Sequence, residues 1–217
     1  NIIIWDRFEI MLINSRYKLN ESKTGVRIMA TEMRGEEMES ILDNDIYIDM
    51  RPKSSLGTKS YYSKILTKMC TKIINVPLLK HHRLAGITFC LKNIAYGATN
   101  NNRRFHGSSC CPFIPKACNH KIVKEKVVLN IGDALSGIYK NGPVLMNRRD
   151  RFMPKSILFS TDMVACDKIG LEIIEKKRKS KNMISIWREY GTPLHVKQSH
   201  ELGIGNYTNI DHKVVVM

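Results

Sequence analysis

The sequence predicts an α/β protein with a mixed, mainly parallel sheet and helices on both faces. Two patterns predict it. Short apolar, β-branched runs recur near positions 2, 26, 46, 73, 127, 157 and 213. Between several of them, near 8, 61, 163 and 188, apolar residues fall at spacings of three and four, the mark of helices with one buried side. A sheet fed by such alternation needs helices on its faces. No internal repeat at a solenoid period interrupts the pattern.

The elements follow in order. Ile2 to Trp5 reads as a buried strand closed by Asp6-Arg7, and Phe8 to Ile13 as a short helix with Phe8, Met11 and Leu12 on one side. Asn20 to Gly25 is loop. Strands are expected at Val26 to Met29 and Asp45 to Asp49, with Gly35 to Asn44 an exposed polar excursion and Pro52 to Gly57 a turn. Tyr61 to Cys70 has helical spacing and runs into a strand, Lys72 to Val76. Lys126 to Ile131 is a further strand ending in Gly132-Asp133, and Ile157 to Phe159 another, closing on Ser160-Thr161-Asp162. Thr161 or Asp162 is expected to cap a helix from Met163 to Lys179, whose first N–H groups need an acceptor. Asp167, in its first turns, reads as a dipole partner. A helix ending in Gly203-Ile204-Gly205 and a last strand, Lys213 to Met217, complete the chain.

Composition bounds the function. With 217 residues, 43% hydrophobic, 25% charged and a mean hydropathy of -0.25, the chain is expected to form a single domain over 1–217 with a sizeable core. No apolar run approaches the roughly 20 residues of a membrane span, and the residues given carry no signal-peptide pattern. Because the chain opens at Asn1 directly into a strand, residues are expected upstream, and the compartment stays open. The net charge of +15 would attract an anionic partner. Its Lys and Arg are scattered apart from Lys176 to Lys181, so a small anionic ligand is favoured over nucleic acid. A non-catalytic basic protein that binds nucleic acid or another anion is the alternative. Six cysteines stand at 70, 90, 110, 111, 118 and 166 without a C-x-x-C pair, which excludes the ligand spacing of an iron–sulfur cluster or zinc ribbon. They read as reduced thiols, with Cys110, Cys111, Cys118 and His120 close enough for adventitious metal. No cofactor or metal is named by the sequence.

Chemistry concentrates between Ile73 and His106. A short apolar strand breaks at Pro77 and is followed by Lys80, His81, His82, Lys92, Asn93 and His106. Strand carboxyl ends are where open α/β sheets place ligands. Asp133 and Asp162, each just past an apolar run, would share that rim if the three strands lie side by side. His81 and His82 project to opposite sides of an extended segment, so at most one faces a given pocket. An imidazole near a lysine suits proton transfer. Lys92 lies among Phe89, Cys90, Leu91, Ile94 and Ala95, where burial makes an amine a better base or nucleophile, or its stem snorkels to water. The expected catalytic residues are His82, Lys92 and His106. Lys80, His81, Asn93, Asp133 and Asp162 are the expected substrate contacts.

The runs I-I-N-V-P-L-L-K-H-H-R-L-A-G-I-T-F-C-L-K-N-I-A-Y-G, R-F-H, V-L-N-I-G-D-A-L-S-G-I-Y-K-N-G-P and F-S-T-D-M-V-A-C-D resemble the domain of unknown function 362 family over nearly the whole chain. That family is largely uncharacterised. Its members often carry further sequence upstream, and some carry a ferredoxin-like module whose cysteines this chain lacks. A local likeness, His82, Lys92, a Gly-Asn-rich loop and His106, is similar to the nickel-pincer lactate racemase family. It implies a cofactor-anchoring or substrate-facing amine at Lys92 and a proton-transfer or metal-ligating pair at His82 and His106.

Overall fold

The computed structural model describes residues 1–22 and 24–215. Their contacts divide the chain into two compact units: Asn1–Thr71 with Tyr96–Arg104, and Lys72–Ala95 with the chain from Phe105 onward.

The first unit opens with β1 (Ile3–Phe8), the short helix α1 (Glu9–Asn14), β2 (Arg27–Met33) and β3 (Glu36–Glu37). β1 runs parallel to β2, which pairs antiparallel with β3. On α1 only Leu12 is buried, and Met11, expected beside it, is exposed. After a 3-10 turn at Glu39–Ile41, β4 (Leu42–Ser54) and β5 (Gly57–Ser63) form a long hairpin. The excursion expected at 35–44 therefore ends early. Ile41 and Leu42 join Met29 and Ile65 in a core cluster, and strand pairing persists through Ser54, where a turn was expected. The expected helix at Tyr61 to Cys70 is overridden too. Tyr61 and Tyr62 pair with Tyr47 and Asp43 of β4, and only one π-helical turn, Ile65–Met69, follows. Aromatic residues at half-buried hairpin positions outweigh the local helical spacing.

The second unit is built on β9 (Val127–Ile138), a long central strand. The preceding elements are β6 (Ile73–Asn75), β7 (Leu78–His82), β8 (Gly86–Thr88), α2 (Cys90–Gly97), which leaves the unit at Ala95, α3 (Phe113–Asn119) and α4 (Lys121–Lys126). After β9 come β10 (Arg151–Phe152), β11 (Ser156–Ser160), α5 (Met163–Lys179), α6 (Ile186–Tyr190) and α7 (Leu194–Glu201). The sheet is mixed. β6 and β7 run parallel to β9, whereas β10 and β11 pair antiparallel with it and β8 antiparallel with β7. The residues after Pro77, read as an extended segment at His81-His82, form a hairpin whose turn closes at Gly86 with φ of +77°. One face of the sheet packs on α5 through Phe89. A Cβ at Gly132 of β9 would lie 2.2 Å from the Phe89 ring and one at Gly170 of α5 2.9 Å from it, so both positions need glycine for this close approach.

β9 is longer than expected, and this moves a residue. Gly132-Asp133 lies in mid-strand because β11 continues the pairing, with Ile157 opposite Asp133. The direction of β11 moves another. Running antiparallel, it brings Ser160 to Asn130 near the start of β9, while Lys80 pairs with Ile138 at its end. At ~3.3 Å per residue the two strand ends lie more than 20 Å apart along the sheet, so the single rim of three strand ends does not form. Of the expected final strand, Lys213 to Met217, residues 213–215 form no regular element, and 216–217 lie outside the described residues.

Candidate active site around Lys92

His82 is the last residue of β7, nearly buried at 4% exposure. Its Nδ1 accepts the N–H groups of Leu84 and Ala85, both at 3.1 Å, so the ring closes the hairpin turn that follows it. Its Nε2 lies 3.3 Å from Nζ of Lys92 in the first turn of α2. Lys92 is 7% exposed. The His106 ring, on the 3-10 turn Arg103–Ser108, stacks on that of His82 at 5.6 Å and 27° and is half-buried. The three residues expected to be catalytic thus meet within the second unit.

Burial comes first among the causes that push His82 down to about 2, followed by the charge Lys92 would carry and by His106. The ring is therefore neutral near neutrality. With two backbone donors on Nδ1, its proton is assigned to Nε2, facing the lysine.

Lys92 is placed by a contact that sequence reasoning misread. Asp167 of α5 is fully buried, and its carboxylate accepts the N–H groups of Cys90 at 2.6 Å and Leu91 at 3.3 Å. It supplies from another helix the acceptor that the first turn of α2 lacks. Burial pushes it up to about 7 against the lowering pull of those two N–H groups. The clue was in the sequence: Asp167 falls on the stripe of Val164, Leu171 and Ile174, all buried.

His195 of α7 also went unnoticed. It is completely buried with no hydrogen-bond partner on either ring nitrogen, and burial followed by Lys92 pushes it down to about 3. Pro193, two residues earlier, packs against Gly86, which pairs with His82 across the hairpin. Nothing in the local sequence marks it apart from any helical histidine.

The other expected contacts lie elsewhere. His81 is buried on its own side of β7, its Nδ1 accepting from Gly142 N at 3.2 Å and its ring tilted against Tyr190. Burial, then Arg178, pushes it down to about 4. Lys80 is half-buried opposite Thr88. Exposed Asn93 donates to Asn75, which donates in turn to Asn130, a ladder that ties α2 to β6 and β9. Asp133 alternates with Gly132 and so projects from the face opposite Phe89, where it accepts from Leu135 N. Asp162 caps α5 through Ala165 N and also accepts from Asn206 N, leaving it a structural carboxylate.

All six cysteines are reduced, with no disulfide among them. Cys111 donates to Gln198 and Cys118 to Leu91 O, and His120 caps α4. Burial raises the Cys90 and Cys118 thiols and takes Cys111 to about 11, so none of these three is a thiolate near neutrality. Among the described residues no three His, Cys, Asp or Glu side chains converge as a metal ion requires, and no helix is long and apolar enough to cross a membrane.

Fold and cluster define an α/β protein that buries a lysine against imidazoles at the end of a parallel strand. The chain belongs to the Domain of unknown function (DUF362) family, which it matches over residues 19–172, a span that holds His82, Lys92 and His106. No curated protein and no solved structure matches it.

Proposed function

We propose that the chain is an enzyme whose second unit acts on a small carboxylate-bearing carbonyl compound through the Lys92 amine. The observation that carries this reading is the pairing at His82. A neutral ring with Nδ1 filled by Leu84 and Ala85 directs an N–H at Nζ, and only an amine with a free lone pair accepts it, since an ammonium offers no acceptor. A buried, uncharged amine is the state a lysine needs to act as nucleophile or base. The Nζ lone pair adds to the carbonyl carbon, a proton passes to the carbinolamine oxygen, water leaves and a C=N bond remains. His106, half-exposed over His82, relays that proton between Lys92 and solvent. Asp167 holds α2, and with it Lys92, in place.

The test is reductive trapping. The protein is incubated near pH 7 with glyoxylate or pyruvate and cyanoborohydride, and adducts are mapped by peptide mass spectrometry. Preferential labelling of Lys92 over the exposed lysines is the expected result. Labelling that tracks surface exposure and spares Lys92 would overturn the reading. Elemental analysis and intact mass of the same preparation report a bound metal or covalent cofactor.

The second reading, a binding protein for anions, has one favourable observation: an open groove at the end of α5 where Lys176, Lys179 and Arg188 outnumber the single carboxylate of Glu175. Nucleic-acid affinity that falls steeply with salt supports it, and flat or absent binding removes it.

A further inference from the structure

We infer that strand β11 is a pairing edge, and that the chain forms a two-fold dimer by laying β11 antiparallel against the β11 of a second copy. Among the described residues β11 is paired on one side only, to β9, through five consecutive residues without a bulge. Alternate N–H and C=O groups of its other side are left without a strand. Exposed edges in soluble proteins are ordinarily blunted by a proline, an internal charge or a bulge. Ser156-Ile157-Leu158-Phe159-Ser160 has none of these, and Ile157 and Phe159 are 46% and 68% exposed.

A second copy is the partner this edge fits, because the segment complements itself. Pairing centred on Leu158 sets Ile157 against the partner's Phe159, Leu158 against the partner's Leu158 and Ser156 against the partner's Ser160. Two β-branched–aromatic cross-strand pairs result, the favourable kind. The same register brings exposed Lys155 to the end of the partner strand that carries the partner's Asp162, and the two-fold axis repeats this contact. Like charge does not oppose it. Asp133 lies one strand inward, so the two copies of that carboxylate stand roughly 14 Å apart across three strand spacings, beyond the Debye length at physiological salt. The sheet face carrying Ile157 and Phe159 also exposes Ile74 and Leu78, paired through β9 to the same side, and pairing makes this apolar band continuous across the dimer. An edge of five residues buries an area at the low end of specific interfaces, so the dimer is reversible and concentration-dependent.

Sedimentation velocity over a concentration series, with oxidative cross-linking, tests this. The unaltered chain should shift towards twice its monomer mass as concentration rises. Phe159→Lys places an ammonium in the pairing face and should weaken association about 100-fold, with far-ultraviolet circular dichroism unchanged. Leu158→Cys should give a covalent dimer on mild oxidation well above the background of the native thiols. Ser156→Cys, four residues out of register with its own copy, should not. A chain that stays monomeric at the highest attainable concentration, a dimer indifferent to Phe159→Lys, or equal cross-linking at both positions overturns the proposal.

Discussion

Both units bury polar side chains, and they close the networks around them to different extents, the first leaving Trp5 Nε1 unpaired and the second a larger group of atoms. In the first, Arg7 and Glu32 are nearly inaccessible and closed on every side. The Arg7 guanidinium meets the Glu32 carboxylate at 3.3 Å, Asn102 Oδ1 at 2.6 Å and Tyr96 O at 3.1 Å, while Arg103 meets the other Glu32 oxygen at 3.1 Å. In the second, Asp167, Arg178 and the Asn75–Asn130 ladder are hydrogen-bonded as well, but several buried imidazole and hydroxyl atoms are not. Nε2 of His81, both nitrogens of His195 and the hydroxyls of Thr192 and Ser199 have no protein partner. Leaving such a group unpaired costs about 1–3 kcal/mol. A saturated network specifies structure, whereas an unsaturated one keeps hydrogen-bonding capacity for something else. This difference supports the proposal that the second unit carries the chemistry.

The largest effect is expected where the network is complete. Arg7→Met keeps most of the stem and leaves Glu32 buried with only the exposed Arg103 beside it, so stability should fall by about 3–5 kcal/mol in denaturant titrations. A loss under about 1 kcal/mol would show that this pair behaves like a surface ion pair and that the contrast with the second unit is illusory.

Asp167 comes next, through pH. Its folded value of about 7 lies above its ordinary 3.8, so between these limits the folded state holds more protons than the unfolded one. Stability contributed by the neutral acid is whole below about pH 4 and is lost as pH rises to about 7, an effect of at most roughly 4 kcal/mol. His81, His82 and His195 act in the opposite sense, since their folded values lie below the ordinary 6.5. The unfolded chain takes up their protons first, so stability drops as pH falls below 6.5. Asp167→Asn should remove this opposing contribution between about pH 4 and 7 and so steepen the net loss of stability on acidification. A melting profile with the same slope in parent and variant would mean that Asp167 is ionised in the fold.

Asp162→Ala removes the cap of α5 and the acceptor of Asn206 N, and should cost about 1–2 kcal/mol by thermal melting. If the loss is much larger, the residues around Asn206 contribute more to the second unit than one hydrogen bond does.

Much of this fold was legible, and what was not failed for identifiable reasons. α5 spans Met163–Lys179 with Asp162 as its cap, as read from an apolar stripe and an acceptor at its head. The convergence of His82, Lys92 and His106 followed from their crowding after one strand. Strand direction was not legible, because S-I-L-F-S reads the same whether it runs with β9 or against it, and that ambiguity misplaced Asp162. Strand length was hidden as well. Gly132 resembles a terminator, yet it is the opening that lets the Phe89 ring reach the sheet. Tyr61 and Tyr62 kept helical spacing while hairpin pairing decided their structure. His195, 113 residues beyond His82 in the chain, joins its surroundings only through tertiary packing.

The smallest effect on stability, and the most informative, is expected at Lys92. Lys92 Nζ lies against the neutral His82 ring, whose Nδ1 is already held by two backbone N–H groups, so losing that contact unseats neither the hairpin turn nor the start of α2, which Asp167 secures. On the proposed reading methionine fills most of the stem's volume and removes the acceptor of the His82 Nε2–H, and the expected cost is about 1 kcal/mol or less after the gain from burying an apolar group. Reductive trapping at this position should disappear, together with any turnover found for the parent. Had Lys92 been the cation of a buried ion pair, the same change would strand an anion and cost about 3–5 kcal/mol, as at Arg7. Measured side by side under one denaturant, the two variants separate a buried amine kept for chemistry from a buried guanidinium kept for structure. Equal losses would place Lys92 with Arg7 among the structural residues.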